Sequence, residues 1–408
     1  MLKTAFQRYI NNFKGFSKEI WILTLITYIN RAGTMVIPFL SVYLKEDLHF
    51  SYSDVGSIIG FCGAGSIIGS FLGGKLSDKI GFYRIMIFSL LTTGILLFFL
   101  EFVTTFYGLC AAMFGIFIIA DMFRPAMFVS LGAYAKPENR TRSLTLVRLA
   151  VNLGFATGPA LGGLIIMFIG YRGLFWADGG TCIIAILIFW ILVKEKKLES
   201  HANETEADEF AVSSVFKDKP FWIFQVTCVV VGILFFQLFN TIPLYESIHF
   251  HLTKVQTGLL LTLNGLLIFL LEMPIVSFVE RKHINKIKIT LIGSFLMAIS
   301  MFLLLIDNWV GIMIVMMVFM TFGEMFSFPF SNSVAVGRAP KGHMGRYMAV
   351  YTMSFGAAQI LSSKIGMQIV QFHGGYSSNW MFMGCLGLVG SAFGIWAYLL
   401  EKKESKAI

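Results

Sequence analysis

Twelve long apolar segments dominate this sequence, and their length constrains the fold more than any other feature. They run over residues 19–44, 54–77, 84–103, 106–134, 142–169, 172–194, 220–246, 255–280, 286–306, 309–336, 345–371 and 378–401. A helix needs roughly 20 mainly apolar residues to cross a bilayer. Hydrophobic residues make up 56% of the chain and charged residues only 13%, about half the charged share of a soluble domain. The sequence therefore predicts an all-α membrane protein with twelve transmembrane helices.

The positive charges are distributed unevenly between the two sides of these segments. Most of the 32 Lys and Arg residues fall in alternate connections, and only Lys45, Arg172 and Lys254 fall in connections on the other side. Lys and Arg accumulate on the cytoplasmic side of membrane proteins, so both termini are predicted to be cytoplasmic. The net charge of +9 is then a consequence of topology. We expect the lipid bilayer of a bacterial cytoplasmic (inner) membrane as a partner, and no nucleic acid.

A polar stretch near the middle of the chain predicts two domains. Residues 195–219 form the longest stretch without apolar periodicity and follow the sixth apolar segment. We predict an N-terminal six-helix bundle over 1–194, a cytoplasmic linker over 195–219 and a C-terminal six-helix bundle over 220–408.

An internal repeat supports this division. Ala-Asp-Met-Phe at 120–123 recurs as Gly-Glu-Met-Phe at 323–326. Asp121 of segment four therefore corresponds to Glu324 of segment ten in the repeat. Two pseudo-symmetric halves around a site at the membrane midplane are a common plan for secondary transporters.

A short loop between segments two and three carries a specific motif. It reads Gly74-Lys-Leu-Ser-Asp78-Lys-Ile-Gly81-Phe-Tyr-Arg84. Glycine permits a tight reversal of the chain, and Asp78 is suited to capping a helix or pairing with an arginine. The loop resembles the cytoplasmic loop signature of the major facilitator superfamily. That resemblance implies a gating role for Gly74, Asp78, Gly81 and Arg84 and the fold of that superfamily; the alternative is an ordinary tight turn.

A second motif lies in segment five and reads Gly154-Phe-Ala-Thr-Gly158-Pro159-Ala-Leu-Gly162-Gly163. Glycines four residues apart form one smooth stripe that lets another helix approach closely, and Pro159 adds a kink. The run resembles the antiporter signature of the twelve-span drug:proton antiporters in the same superfamily. Simple helix packing would need the same glycines and remains the alternative.

Charged residues within the apolar segments are candidates for proton coupling. Asp121 and Arg124 are three residues apart and share a helix face, while Glu272 and Glu324 lie in segments eight and ten. A low-dielectric cavity disfavours the charged form of a carboxylate, which lets such a group bind and release a proton. Arg124 also resembles an arginine that the superfamily associates with proton coupling. The alternative is that each carboxylate is permanently ion-paired.

Other polar residues within the segments are candidates for substrate binding. Arg31 in segment one and Arg124 are suited to an anionic part of a substrate, and Lys364 is a weaker candidate. Further candidates for lining the cavity are Asn240, Asn264 and Tyr351, together with Gln237 and Asn332. Each of the uncharged residues has hydrogen bonding between helices as its alternative role.

These features together predict a proton-coupled secondary transporter that works by alternating access. The resemblance to drug:proton antiporters favours export of amphipathic organic compounds in exchange for protons. A proton-coupled importer of peptides or other small nutrients is the alternative, because Arg31 and Arg124 suit anionic or zwitterionic ligands. The sequence has no phosphate-cradling loop and no convergent catalytic groups, so we expect no enzyme activity, cofactor or metal. We expect a monomer that binds protons and a small-molecule substrate.

Overall fold

The computed structural model of the chain describes residues 15–136, 140–196, 215, 217–339 and 344–407, without the side chains of Asp78, 140–142, 344–345 and 405–407. Within these residues every regular element is a helix, as the apolar segments predict. Most of the predicted linker lies outside the described residues.

Twelve long helices follow the predicted segments. They are α1 (Lys18–Asp47), α2 (Tyr52–Ile80), α3 (Phe82–Leu100), α4 (Phe106–Tyr134), α5 (Arg140–Ile169), α6 (Tyr171–Leu192), α7 (Lys219–Phe236), α8 (Lys254–Arg281), α9 (Lys286–Leu303), α10 (Ile312–Arg338), α11 (Met344–Phe372) and α12 (Gly375–Ala407). Two of them are interrupted: α1 breaks after Gly33 and α4 breaks at Met122. The seventh segment is shorter than predicted, because α7 ends at Phe236 and a separate short helix, Ile242–Ile248, follows it.

Eleven of these helices within the described residues are long and apolar enough to cross a membrane. The exception is α11, which has 29 residues but carries Arg346, Lys364 and three glutamines. Its serines bond to neighbouring helices: Ser354 donates to Gln225 Oε1 at 2.9 Å and Ser362 to the Ile233 carbonyl at 2.8 Å. A membrane-spanning α11 therefore stays a prediction, based on its length and its place among the other helices.

The hydrophobic core largely follows the two halves. Residues of α1 to α6 pack in two large clusters, one of which also includes Leu244 and Met367 of the second half, and residues of α7 to α12 pack in others. Large apolar side chains such as Phe168, Trp190 and Ile191 are exposed instead. Exposed apolar surface on this scale is what lipid-facing helices require.

The two halves meet along two seams of closely packed helices, α5 against α8 and α2 against α11. Small residues allow the approach: Gly258 of α8 lies on the backbone of Pro159, and Gly56 of α2 lies on that of Ser363. Such small-residue contacts are the usual basis of helix association in membranes.

One group of polar contacts between the halves lies at one end of the molecule, here called the closed end. Lys254 Nζ lies 2.6 Å from Glu46 Oε2, and the hydroxyls of Tyr52 and Tyr376 are 3.2 Å apart. The Ser53 amide also donates to Gln371 Oε1 at 2.7 Å. Each of these contacts joins the first half of the chain to the second.

The opposite end, here called the open end, carries the α2–α3 turn and the last turns of α8 and α10. Its ion pairs stay within one half: Arg84 with Glu195 in the first half, and Arg338 with Asp218 and Glu404 in the second. The Arg148 side chain is 57% exposed although Arg148 lies well inside α5 between the halves. The region between the halves is therefore accessible from the open end.

Candidate functional site

Arg31 lies in the last turn before the break in α1 and points toward the region between the halves. Its guanidinium carbon is 5.8 Å from the centre of the Phe155 ring of α5, in the range of a cation–π contact. Asp121, Arg124 and Asp178 are close enough to act on its charge. Arg31 is thus part of a cluster of intramembrane charges in the first half.

Asp121 and Arg124 flank the break in α4. The break follows from Pro125, which has no N–H to donate to the Asp121 carbonyl four residues earlier. Within the described residues Asp121 accepts a hydrogen bond from the Ser66 hydroxyl of α2 rather than pairing with an arginine. Arg124 is exposed on the opposite side of the break, so its charge is available between the halves.

Asp178 of α6 is a buried carboxylate that the sequence analysis did not single out. Its side chain is 5% exposed, and Oδ2 accepts a hydrogen bond from the Val36 amide at 3.3 Å. Val36 begins the second part of α1 after the break at Gly33, so Asp178 caps amide groups that the break leaves without helical partners. A carboxylate inside an apolar segment was the available signal, because such residues are costly unless they have a partner.

The glycine motif of α5 lies where three helices meet. A Cβ at Gly154 would come 2.5 Å from the Arg31 Cβ, and a Cβ at Gly158 would come 2.8 Å from the Ala32 carbonyl oxygen. On another side of α5, a Cβ at Gly163 would come 2.5 Å from the Lys254 carbonyl oxygen at the start of α8. The motif therefore brings α5 against both α1 and the second half of the molecule.

The pairing of the second half's carboxylates differs between Glu272 and Glu324. Glu272 of α8 forms an ion pair with Arg148 of α5, which joins the two halves. Glu324 of α10 accepts a hydrogen bond from Asn264 Nδ2 at 3.0 Å, and the same amide donates to Thr321 Oγ1. Among the described residues, Glu272 alone of the three predicted carboxylates is ion-paired, whereas Asp121 and Glu324 have neutral partners.

Two predicted substrate-binding residues are buried and hydrogen-bonded within the second half. Asn240 is 2% exposed and donates to Ser362 Oγ at 3.3 Å. Tyr351 is 7% exposed, and its hydroxyl lies 3.0 Å from Ser331 Oγ. Both side chains therefore have partners within the second half in this conformation, and Asn264 has Glu324 as a partner. A role of these three residues in substrate binding stays a prediction. Burial against another helix is not visible in the sequence.

Lys364, the weaker substrate candidate, lies in the seam between α2 and α11. Its Nζ donates to Ser57 Oγ at 2.6 Å. It therefore contributes to the contact between the halves near the closed end.

Gly81 at the α2–α3 turn adopts φ +93°, a conformation that strongly favours glycine and that the motif predicts. Gly74 lies inside α2 instead, and a Cβ there would meet no atom within 4 Å, so the reversal does not require a glycine at this position. A gating role for either residue stays a prediction. Arg84 lies 3.4 Å from Glu195 and both side chains are well exposed, so this pair is worth little stability. The side chain of Asp78 lies outside the described residues.

The charges of the site come from both halves. The first half contributes Arg31, Arg124 and Arg148 with the carboxylates of Asp121 and Asp178, and the second half contributes Glu272 and Glu324. Membrane-embedded charges that face an aqueous cavity between two helical bundles are typical of substrate and ion pathways. The fold and the site therefore define a multi-pass membrane transporter for small molecules.

The family follows from comparison with known proteins. A family model described as Major Facilitator Superfamily matches residues 20–363 and 249–408, and the chain belongs to this superfamily. The curated relatives are transporters and not enzymes. The uncharacterized MFS-type transporter YttB of Bacillus subtilis is 27% identical to this chain over 364 residues, which cover 88% of this chain and 89% of YttB.

Two further similarities bear on function in different ways. The quinolone resistance protein NorA of Staphylococcus aureus is 26% identical over 182 residues, which cover 44% of this chain and 46% of NorA. A crystal structure of a POT family transporter in complex with 5-aminolevulinic acid has a TM-score of 0.78 at 16% identity, covering 96% of this chain and 97% of that one. At this identity the structure shows a shared fold alone, and it confirms the predicted major facilitator fold.

Proposed function

We propose that this protein is a proton-coupled transporter that works by alternating access and exports amphipathic organic compounds in exchange for protons. The observation that carries the coupling is the ion pair between Arg148 and Glu272, because it joins the two halves and contains a carboxylate that a proton can neutralise. The glycine motif of α5 and the similarity to the quinolone resistance protein NorA support export.

The orientation follows from the positive charges at the two ends. Lys75, Lys79 and Arg84 lie near the open end, as do the basic residues that begin at Arg281, whereas Lys45, Arg172 and Lys254 lie at the closed end. We infer that the open end is cytoplasmic and that the protein faces inward in a bacterial cytoplasmic membrane, with both termini inside. We retain the boundaries 1–194, 195–219 and 220–408, and a monomer, as part of this proposal.

In the proposed cycle, protonation of a carboxylate changes the contacts between the two halves as they rock. A proton that binds Glu272 removes its negative charge and releases Arg148, so the contact between α5 and α8 weakens. Glu324 is close enough to act on the charge of Glu272, and its neutral partner Asn264 leaves it available for a proton or a cationic substrate. In the first half, Asp121 has the corresponding position and Ser66 as its partner.

Inverted membrane vesicles with a proton-gradient dye test this function. Addition of a quinolone or a cationic dye is expected to dissipate the proton gradient, because export into inverted vesicles releases protons outward. E272Q, E324Q and D121N are each tested for loss of that response. E280Q is the matched control, since Glu280 lies two turns further along α8 and is exposed. Equal responses of all three variants and the wild type would show that none of these residues couples protons.

One observation favours a second candidate, the uptake of zwitterionic nutrients such as peptides. The site holds the cations Arg31, Arg124 and Arg148 of the first half together with the carboxylates Glu272 and Glu324 of the second, so a ligand with an acidic and a basic group would find both partners. Right-side-out vesicles distinguish the candidates: acidification of the lumen on addition of di- or tripeptides, with no response to quinolones in inverted vesicles, would replace export by uptake.

A further inference from the structure

A buried carboxylate at the closed end has no role in the site described above. Glu246 lies on the short helix Ile242–Ile248, which packs against the second part of α1. Its side chain is 1% exposed, and Oε2 has no hydrogen-bond partner among the described residues. An ionised carboxylate in such a place is strongly disfavoured unless a cation compensates it.

The nearest cation is already engaged by other groups. Lys254 Nζ lies 2.6 Å from Glu46 Oε2 of α1 and 2.7 Å from Ser247 Oγ. Ser247 also donates to Glu46. The hydrogen bond that Glu246 has comes from the hydroxyl of Thr257 in α8. The positive charge of Lys254 thus mainly compensates Glu46, in an ion pair that joins the two halves. The partner that remains for Glu246 is the neutral hydroxyl of Thr257.

We propose that Glu246 is a proton-binding residue of the closed end, which holds a proton while the halves meet there and releases it when they separate. On closing, an O–H bond forms between the carboxylate and a proton from the solution at that end. On opening, the bond breaks and the proton returns to the same solution. This inference rests on the alternating access of the proposed function, but it does not depend on which residue couples protons to substrate.

The geometry gives the sign of the pH effect. Glu246 lies outside the membrane-spanning helices, and burial raises its pKa to about 8 although Thr257 and Lys254 act against that rise. An exposed glutamate has a pKa of about 4.3. The proton therefore stabilises the closed end fully below about pH 4.3, and this stabilisation is lost as the pH rises toward 8. Within that window the ratio of closed to open molecules falls up to about tenfold per pH unit.

Distances between spin labels across the closed end measure this ratio directly. Tyr107 at the start of α4 and Trp309 before α10 are 83% and 56% exposed, and they belong to different halves. Y107C and W309C are labelled in a C385S background, because Cys385 is exposed and the other four cysteines are buried. The protein is measured in nanodiscs between pH 5 and pH 8, without substrate or a proton gradient.

The short distance is expected to predominate at pH 5, and a longer distance is expected to gain population as the pH rises. E246Q should keep the short distance at both pH values. D47N is the matched control, because Asp47 is an exposed carboxylate at the same end, and it should respond to pH as the wild type does. The same comparison in a Q371A background removes the hydrogen bond from the Ser53 amide across the closed end and leaves Lys254 paired with Glu46, so that the longer distance gains population at every pH.

The proposal is overturned if the E246Q change leaves the pH response of the Q371A protein unaltered, or if the Q371A protein shows no response to pH. The vesicle assay is a separate measurement. A distance that responds to pH through Glu246, without any proton-linked transport, would refute the proposed coupling and leave this inference standing. Proton-linked transport with a closed end that is insensitive to Glu246 would do the reverse.

Discussion

Substitution of Gly258 by alanine tests whether the α5–α8 seam holds the closed end together. A Cβ at this position would lie 2.3 Å from the Pro159 carbonyl oxygen, whereas ordinary contacts begin at 3.4 Å. The obstacle is backbone within a helix, so the two helices must separate locally by about 1 Å. Gly258 lies one turn from the start of α8 at Lys254, so this separation acts on the closed end.

The expected size of the effect follows from packing energetics. Overpacking a tight contact costs roughly 1–3 kcal/mol, and each 1.4 kcal/mol changes an equilibrium about tenfold. G258A should therefore shift the closed-to-open ratio toward open by about fivefold to somewhat more than a hundredfold. The label pair at positions 107 and 309 reports this shift as a gain of the longer distance.

The control is G115A, because a Cβ at Gly115 of α4 would meet no atom within 4 Å. Alanine also has the higher helix propensity, so G115A should leave the distances unchanged. If G258A gives the wild-type distance distribution and the same thermal stability, the seam does not hold the closed end and the packing argument is wrong.

Three further predictions concern the charged groups. D178A is expected to lower the melting temperature by several degrees in a detergent thermal-shift assay, and D178N by less; equal melting temperatures for D178A and wild type would contradict its capping role. R148E should abolish proton-linked transport and the R148E/E272R pair should recover part of it; no recovery in the vesicle assay would argue against their pairing. R338A removes the cationic partner of Asp218, whose side chain is only 10% exposed, and should cost about 1–3 kcal/mol of stability. Chemical denaturation can measure this loss against R84A, whose exposed pair should cost under about 1 kcal/mol.

The helices were predictable from sequence because hydropathy and length act locally. Apolar segments of 20 or more residues can satisfy their backbone groups in lipid only as helices, and Gly81 at the α2–α3 turn shows the backbone conformation that its motif requires. The superfamily was likewise recognisable, because its loop and glycine motifs are continuous in the chain. The break in α4 could also be anticipated, since Pro125 removes one helical hydrogen bond.

The partners of the polar residues were not predictable, because they come from helices distant in the sequence. The sequence predicts that Asn240 lines the cavity, but it does not show that Ser362, 122 residues away, accepts a hydrogen bond from Asn240. Arg148 and Glu272 are separated by 124 residues, and no local pattern connects them. Glu246 appeared to be the end of an apolar segment, and its importance depends on burial against the other half.

The polar character of α11 has a consequence for how the protein is made. A helix that carries Arg346, Lys364 and three glutamines gains less from lipid than its neighbours do. It forms hydrogen bonds to α7 and α2, which are synthesised earlier. We therefore expect α11 to enter the membrane as a partner of helices already in place, so that damage to the α7 or α2 surface would appear first as failed insertion of the last part of the chain.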